Sequence, residues 1–396
     1  MTLSKSPELS LTVACCRWPP SPERESAVRD AAASVTNWNL FTRLVDRHRV
    51  IPLAQDALAR ADVVLPAVVE RRIAARAAQC AVTALAMARE SVRLQEAFRV
   101  AGLPALIIKG TPLGVLAYGD PCMKQSWDID LLTSAEVLTE AHSLLEALGY
   151  DRRSPERLTA EEFRCFAQFA IEAAYVHRVS GLTVELHWGL TRNRRLLPKV
   201  DVKSSTQVVR IAGAELLTFA DDILFSYLCV HGTLHAWARL KWLADLAAFI
   251  STHDLGDVER MYGAALDAGA GRAPAASLLL CRHLFEVRIP PLVRDVGSGR
   301  LVRYFESLAL ERIKATKPPE HLSAFERARV NFSLFLVAPG LRFIAEQLRN
   351  IWLVPIERAR FGSAAHLLRF PLWLIRIAQG LMRRHTPQPS GGSPND

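Results

Sequence analysis

The segment SWDIDLLT, Ser126 to Thr133, limits what this chain can fold into more than any other stretch. Read as a strand, it projects Asp128 and Asp130 to one face while Trp127, Ile129 and Leu131 enter the core on the other. Two neighbouring carboxylates repel, and without a cation the pKa of one of them rises. A divalent metal removes that conflict: Mg²⁺ takes hard oxygen ligands and keeps open positions for phosphate oxygens. Asp-x-Asp also arises by chance, so the flanking sequence has to decide.

Upstream, PALIIKG reads as a short apolar strand and TPLGVLAYGD as a short helix, with Lys109, Gly110 and Thr111 at the junction. Thr111 is expected as the helix N-cap, with Pro112 in the first turn. Glycine permits close backbone approach, and free amides at a helix start attract phosphate, so the turn reads as a phosphate seat. The alternative is an ordinary strand-to-helix turn with Lys109 in solvent. Downstream, EAAYVHRVSGLTVELHWGL reads as a hairpin hinged at Ser180 and Gly181. Its second arm places Thr183, Glu185 and His187 on one face and Val184, Leu186 and Trp188 on the other. Beside the Asp128 strand, Glu185 becomes a third carboxylate; otherwise it is a surface residue. Three acids define two metal positions, one shared with a triphosphate and the other activating an acceptor hydroxyl for attack on the α-phosphorus.

Around this core the pattern is helical. The first hundred residues carry apolar positions at three-to-four spacing, ending near Gly102 and Pro104. Helix resumes from about Leu217, after Thr218 as a near capping box with Asp221. The helix after the Asp128 strand is expected to be capped by Ser134 and stopped at Gly149. The fold class is therefore α+β, mostly helical, with a small mixed β-sheet. Expected regions are 1–102 (helical), 103–200 (the α/β core), 201–320 (helical), 321–385 (basic helices) and 386–396 (a disordered polar tail). No window resembles a membrane span or an export signal, so the chain is read as cytoplasmic. Its seven cysteines include no Cys-x-x-Cys pair and are expected as reduced, mostly buried thiols. Abundant alanine and arginine suggest a GC-rich bacterial genome. Of the net charge of +9, ten arginines against three glutamates place +7 between Ala324 and His385. Such a segment can meet anionic lipid or an acidic partner, or simply be a solvated helix face.

Strand, Gly-Thr turn, helix, Asp-x-Asp strand, helix and a strand with a third acid is the order of the DNA polymerase β-like nucleotidyltransferase superfamily. More narrowly, KGTPLGVLAYGDPCMKQSWDIDLLT, VELHWGL and HGTLHAWARLKWLADLA together resemble a large bacterial family of uncharacterised nucleotidyltransferases, from about His48 to Phe249. The resemblance implies a nucleotidyltransferase core, metal ligation by Asp128, Asp130 and Glu185, and nucleotide contact from Lys109, Gly110 and Thr111. Lys124 stands where the family tends to have arginine, keeping the charge but losing the bidentate fork. Glu185 is a methylene longer than the superfamily's common aspartate.

His231 and His235 share a helix face with Arg239 following, but no Glu stands between them in the metalloprotease position and no third zinc ligand is evident. With Lys241 and His187 they are candidates for holding substrate or for packing. The C-terminal LLRFPLWLIRIAQGLMRR reads as a core helix with an arginine edge or as an interfacial helix in weak contact with a membrane surface. No sequence-specific nucleic-acid module is recognisable. The leading expectation is an enzyme moving a nucleoside monophosphate from an NTP such as ATP, with two Mg²⁺ ions, to an unknown acceptor: a small molecule, peptide or protein. The alternatives are a catalytically weak nucleotide-binding or partner-neutralising protein, and a basic helical scaffold.

Overall fold

The computed structural model describes residues 6–296, 299–316, 321–352 and 354–361. The expected tail and the LLRFPLWLIRIAQGLMRR stretch lie outside them. The chain is α+β and mostly helical, as expected, and divides into two compact units. The first comprises Met1–Glu156 and Ile171–Arg349; the second comprises Arg157–Ala170 and Asn350–Asp396. The second unit pairs the helix Ala160–Ala167, opened by a Thr159–Glu162 capping box, with the helix Pro355–Phe361.

The first unit holds a five-stranded mixed sheet. In chain order its strands are β1 (Leu106–Ile107), β2 (Asp128–Leu132), β3 (Tyr150–Ser154), β4 (Glu172–His177) and β5 (Thr183–His187). Their spatial order is β1-β2-β5-β4-β3. The hairpin expected from Ser180 and Gly181 forms as β4 and β5, and β5 runs parallel to β2. One face carries Ile129, Leu131, Ala173, Tyr175, Val184 and Leu186, all buried. The helix Leu138–Ala147 lies on this side, where Tyr175 Oη sits 3.1 Å from His142 Nδ1. The opposite face carries the acids.

Several local expectations are corrected. Trp127 precedes β2, so no strand alternation turns it inward; it is half-exposed, with the Arg49 guanidinium 5.2 Å from its ring centroid. Gly110, not Thr111, is the N-cap of the helix Thr111–Tyr118, because the turn needs φ +69° and ψ −123°, which glycine supplies. Ser134 precedes a short 3-10 turn and makes no side-chain cap, and the α-helix begins at Leu138. Thr218 lies in a strand, and Ala220 precedes the helix Asp221–Leu234. Two strand features read as connection or helix are β3 and a separate hairpin of β6 (Thr206–Ile211) and β7 (Ala214–Phe219). Ala212 and Gly213, at φ 48° and 85°, form the two-residue turn whose left-handed geometry suits hairpins.

The long helix Ala67–Val100 spans the unit. Its buried Gln95 accepts the Leu217 N–H at 2.6 Å and donates to the Leu217 carbonyl at 3.0 Å, fastening β7. The N-terminal helices and the helix Leu240–Ser251 share a continuous core. The helix Leu341–Trp352 leaves Leu341, Leu348 and Trp352 exposed. No helix among the described residues is long and apolar enough to cross a membrane.

His48, fully buried at the end of the helix Trp38–His48, accepts the Leu240 N–H on Nδ1 at 3.1 Å and so caps the start of the helix Leu240–Ser251. Burial, reinforced by the Arg47 charge, holds its imidazole well below the usual pKa. Below a pH of about 6.5 the unfolded chain takes up a proton that the folded chain refuses. This group therefore lowers stability as pH falls through that value, by up to about 1.4 kcal/mol per pH unit. Urea unfolding at stepped pH should show a slope of that sign, to which His231 and His235 also contribute, and His48→Asn should reduce it by up to one proton's worth; an unchanged slope would exclude His48 as a source.

Candidate active site

The parallel register of β2 with β5 sets Asp130 directly across from Glu185 and Leu132 across from His187. The antiparallel register of β4 sets Glu172 across from His187. Since all these positions share one face, four acids and a histidine meet at the centre of the sheet. Asp130 is 1 % exposed and lies between two cations: Lys109 Nζ at 2.8 Å from Oδ1 and His187 Nε2 at 3.2 Å. His187 also reaches Glu185 at 3.6 Å and, through Nδ1, Glu172 at 3.3 Å.

Burial alone would raise the Asp130 carboxyl, but the Lys109 charge and the His187 hydrogen bond outweigh it and hold it well below the usual range. Burial likewise works against the charge on His187, yet Asp130 and Glu185 push its pKa up to about 9. Asp128, at the start of β2, is raised by burial and by the Asp130 charge.

Asp130, Glu185 and His187 offer ligand atoms within 4.8 Å of one another. The Asp128 carboxylate is adjacent in the strand but stands outside that group. Two carboxylates of hard oxygen character, with a third on the same face, suit Mg²⁺; an imidazole is a softer donor that suits other divalent ions better. The donor set therefore fits a divalent cation.

The Gly110 turn abuts the same strand: a Cβ added at Gly110 would lie 3.8 Å from the Asp128 carbonyl oxygen. The first amides of the helix Thr111–Tyr118 open beside the acids, with Thr111 buried. Lys124 is the fourth residue expected to bind nucleotide. It is buried in an ion pair with Asp245, which also accepts the Tyr118 hydroxyl at 2.9 Å. Lys241 lies nearby, its ammonium 3.5 Å from the Gln125 carbonyl. Burial and the Lys124 charge lower its pKa to about 7.

The helix Asp221–Leu234 closes the acidic face. His231 and His235 have ring centroids 4.6 Å apart, with Tyr227 and Trp242 beside them. His235 retains solvent-exposed surface, yet the surrounding protein and the Lys109 charge hold its pKa at about 4. Arg239 is the N-cap position of the helix Leu240–Ser251, and its charge reaches His235. Glu172, Tyr227, Trp242 and Asp245 were not singled out from sequence. Counting register back from Ser180 and Gly181 would have found Glu172, and an aspartate inside the apolar run LKWLADLAAFI signals a buried cation.

Replacing Asp245 by asparagine leaves the Lys124 ammonium buried without its counter-charge. Loss of one partner from a buried pair typically costs about 3 to 5 kcal/mol, whereas removing both is far milder. Asp245→Asn should therefore lower the urea midpoint strongly, and Lys124→Met with Asp245→Leu should recover most of it. Equal losses in the single and double variants would show that the pair is not coupled.

No curated protein and no solved structure significantly matches the chain. Its residues 34–286, more than half its length and including β1 to β7 and the histidine-bearing helix, match the family described as uncharacterised nucleotidyltransferase. Because the match covers most of the chain, the chain belongs to that family.

Proposed function

We propose that the protein transfers a nucleoside monophosphate from an NTP, ATP foremost, to an acceptor hydroxyl with release of pyrophosphate. The observation that carries the reading is the facing pair Asp130 and Glu185, seated beside Lys109 in a chain of this family. Asp128, Asp130 and Glu185 would hold two Mg²⁺ ions, which supply Lewis-acid activation of the acceptor oxygen and neutralise the triphosphate.

The remaining roles fall to the chain's own groups. Gly110 and Thr111 present backbone amides to the phosphates, since the first turn of a helix has N–H groups without intrahelical partners. Lys109 is close enough to Asp130 to share its charge between carboxylate and phosphate. Lys241, with a single long contact to a carbonyl, has donors to offer the same anion. The acceptor oxygen attacks the α-phosphorus as the bond to the bridging oxygen breaks, and pyrophosphate leaves with that electron pair. Glu185, half-buried at the mouth of the site, takes the hydroxyl proton. His187 keeps Asp130 and Glu185 aligned by bridging them. Lys124, tied to Asp245, supports the site from beneath.

Purified protein with Mg²⁺ and labelled nucleotides, offered a panel of acceptors, should release pyrophosphate and transfer label. Asp128→Asn and Asp130→Asn should each lower turnover by about 100-fold or more, as loss of a charge-stabilising group does at such centres. Unchanged turnover in Asp130→Asn would overturn the assignment. Metal-dependent nucleotide binding without turnover would favour a nucleotide-binding protein instead.

A further inference from the structure

We propose that His235 and Trp242 form the platform on which the nucleotide's base stacks, which rests on the nucleotidyltransferase reading above. His235 ends the helix Asp221–Leu234, and the next two residues, Ala236 and Trp237, both adopt φ 48°. This left-handed bend reverses the chain, so the helix Leu240–Ser251 brings Trp242 back against His235. The bend is anchored by Trp237, buried against Gly232, where an added Cβ would fall 2.2 Å from the indole. Only glycine leaves room for that ring.

The result is a set of ordered π faces. His235 lies nearly parallel to Trp242, with centroids 5.1 Å apart and planes inclined by 27°. His231 meets Trp242 edge-on at 5.8 Å and 81°, which holds the indole in place. His235 nonetheless keeps an exposed surface. A polar ring stacked on an indole and still open to solvent is a ready surface for a flat ligand.

Its location supplies the ligand's chemistry. His235 ends the helix that carries Tyr227 and His231, and its ring adjoins His231, which adjoins Tyr227; the charges of Lys109 and Glu185 reach His235 as well. A nucleotide whose α-phosphate sits at the acids carries its base one ribose away, and the platform borders that centre. Stacked on the Trp242 indole, the His235 ring offers a base its π face. Stacking discriminates bases weakly, because every base has a π face. The platform therefore accepts several bases, with purines favoured over pyrimidines by their larger area.

The test compares calorimetric binding of MgATP and of magnesium tripolyphosphate, which has the phosphates without the base, to the full chain. His235→Ala should weaken MgATP about tenfold while leaving tripolyphosphate within about twofold. His235→Phe should retain MgATP affinity. Equal effects on both ligands, no effect on either, or failure of His235→Phe to retain affinity would overturn the platform while leaving the nucleotidyltransferase reading intact. If the unaltered protein binds neither ligand, that reading fails and the platform with it.

Discussion

Asp130 is nearly excluded from solvent, and a carboxylate in that position survives as an anion only because two cations hold it. Lys109 arrives from the end of β1 and His187 from the end of β5, on either side of the strand that carries the aspartate. Removing either would leave the other to offset an entire buried charge. The sheet order follows the same logic. β2 lies between β1 and β5, so its acid is flanked by the two strands that bear the compensating groups. The position of Glu185 and the approach of the glycine turn both follow from this arrangement.

How much of this was legible depends on the range of the interaction. Alternation within β2 and β5 put Asp128, Asp130, Glu185 and His187 on common faces, because strand periodicity is local. The hairpin at Ser180 and Gly181 was readable for the same reason. The β6–β7 hairpin was missed although VVRIAGAELL alternates around an Ala-Gly pair, since a long helical context overshadowed a short signal. Trp127 turns out of the core because β2 starts at Asp128, two residues after the Ser126 that opens the apolar alternation. The partner of Lys124 could not be read locally: Asp245 lies on a helix 121 residues further along the chain, and only the fold brings them together.

The helical half of the first unit is not passive support. Its two central helices supply the rings over the acidic face and the aspartate beneath it, joined by one tight bend at Ala236 and Trp237. Because Lys241, Trp242 and Asp245 all lie on one short helix, a shift of that helix would move an ammonium, a ring and a carboxylate together. The site is thus positioned by packing from both ends: His48 fixes where this helix begins, and Tyr118 binds the aspartate on its second turn.

Gln95 has an effect beyond fastening a strand to a helix. A β-hairpin at the rim of a domain offers unpaired amide and carbonyl groups to any other extended chain. The side-chain amide of Gln95 occupies both backbone groups of Leu217 as a neighbouring strand would, and it also donates to the Ala105 carbonyl just before β1. One side chain thereby stands in for a neighbouring strand at Leu217 and ties β7, the start of β1 and the long helix together at a single point.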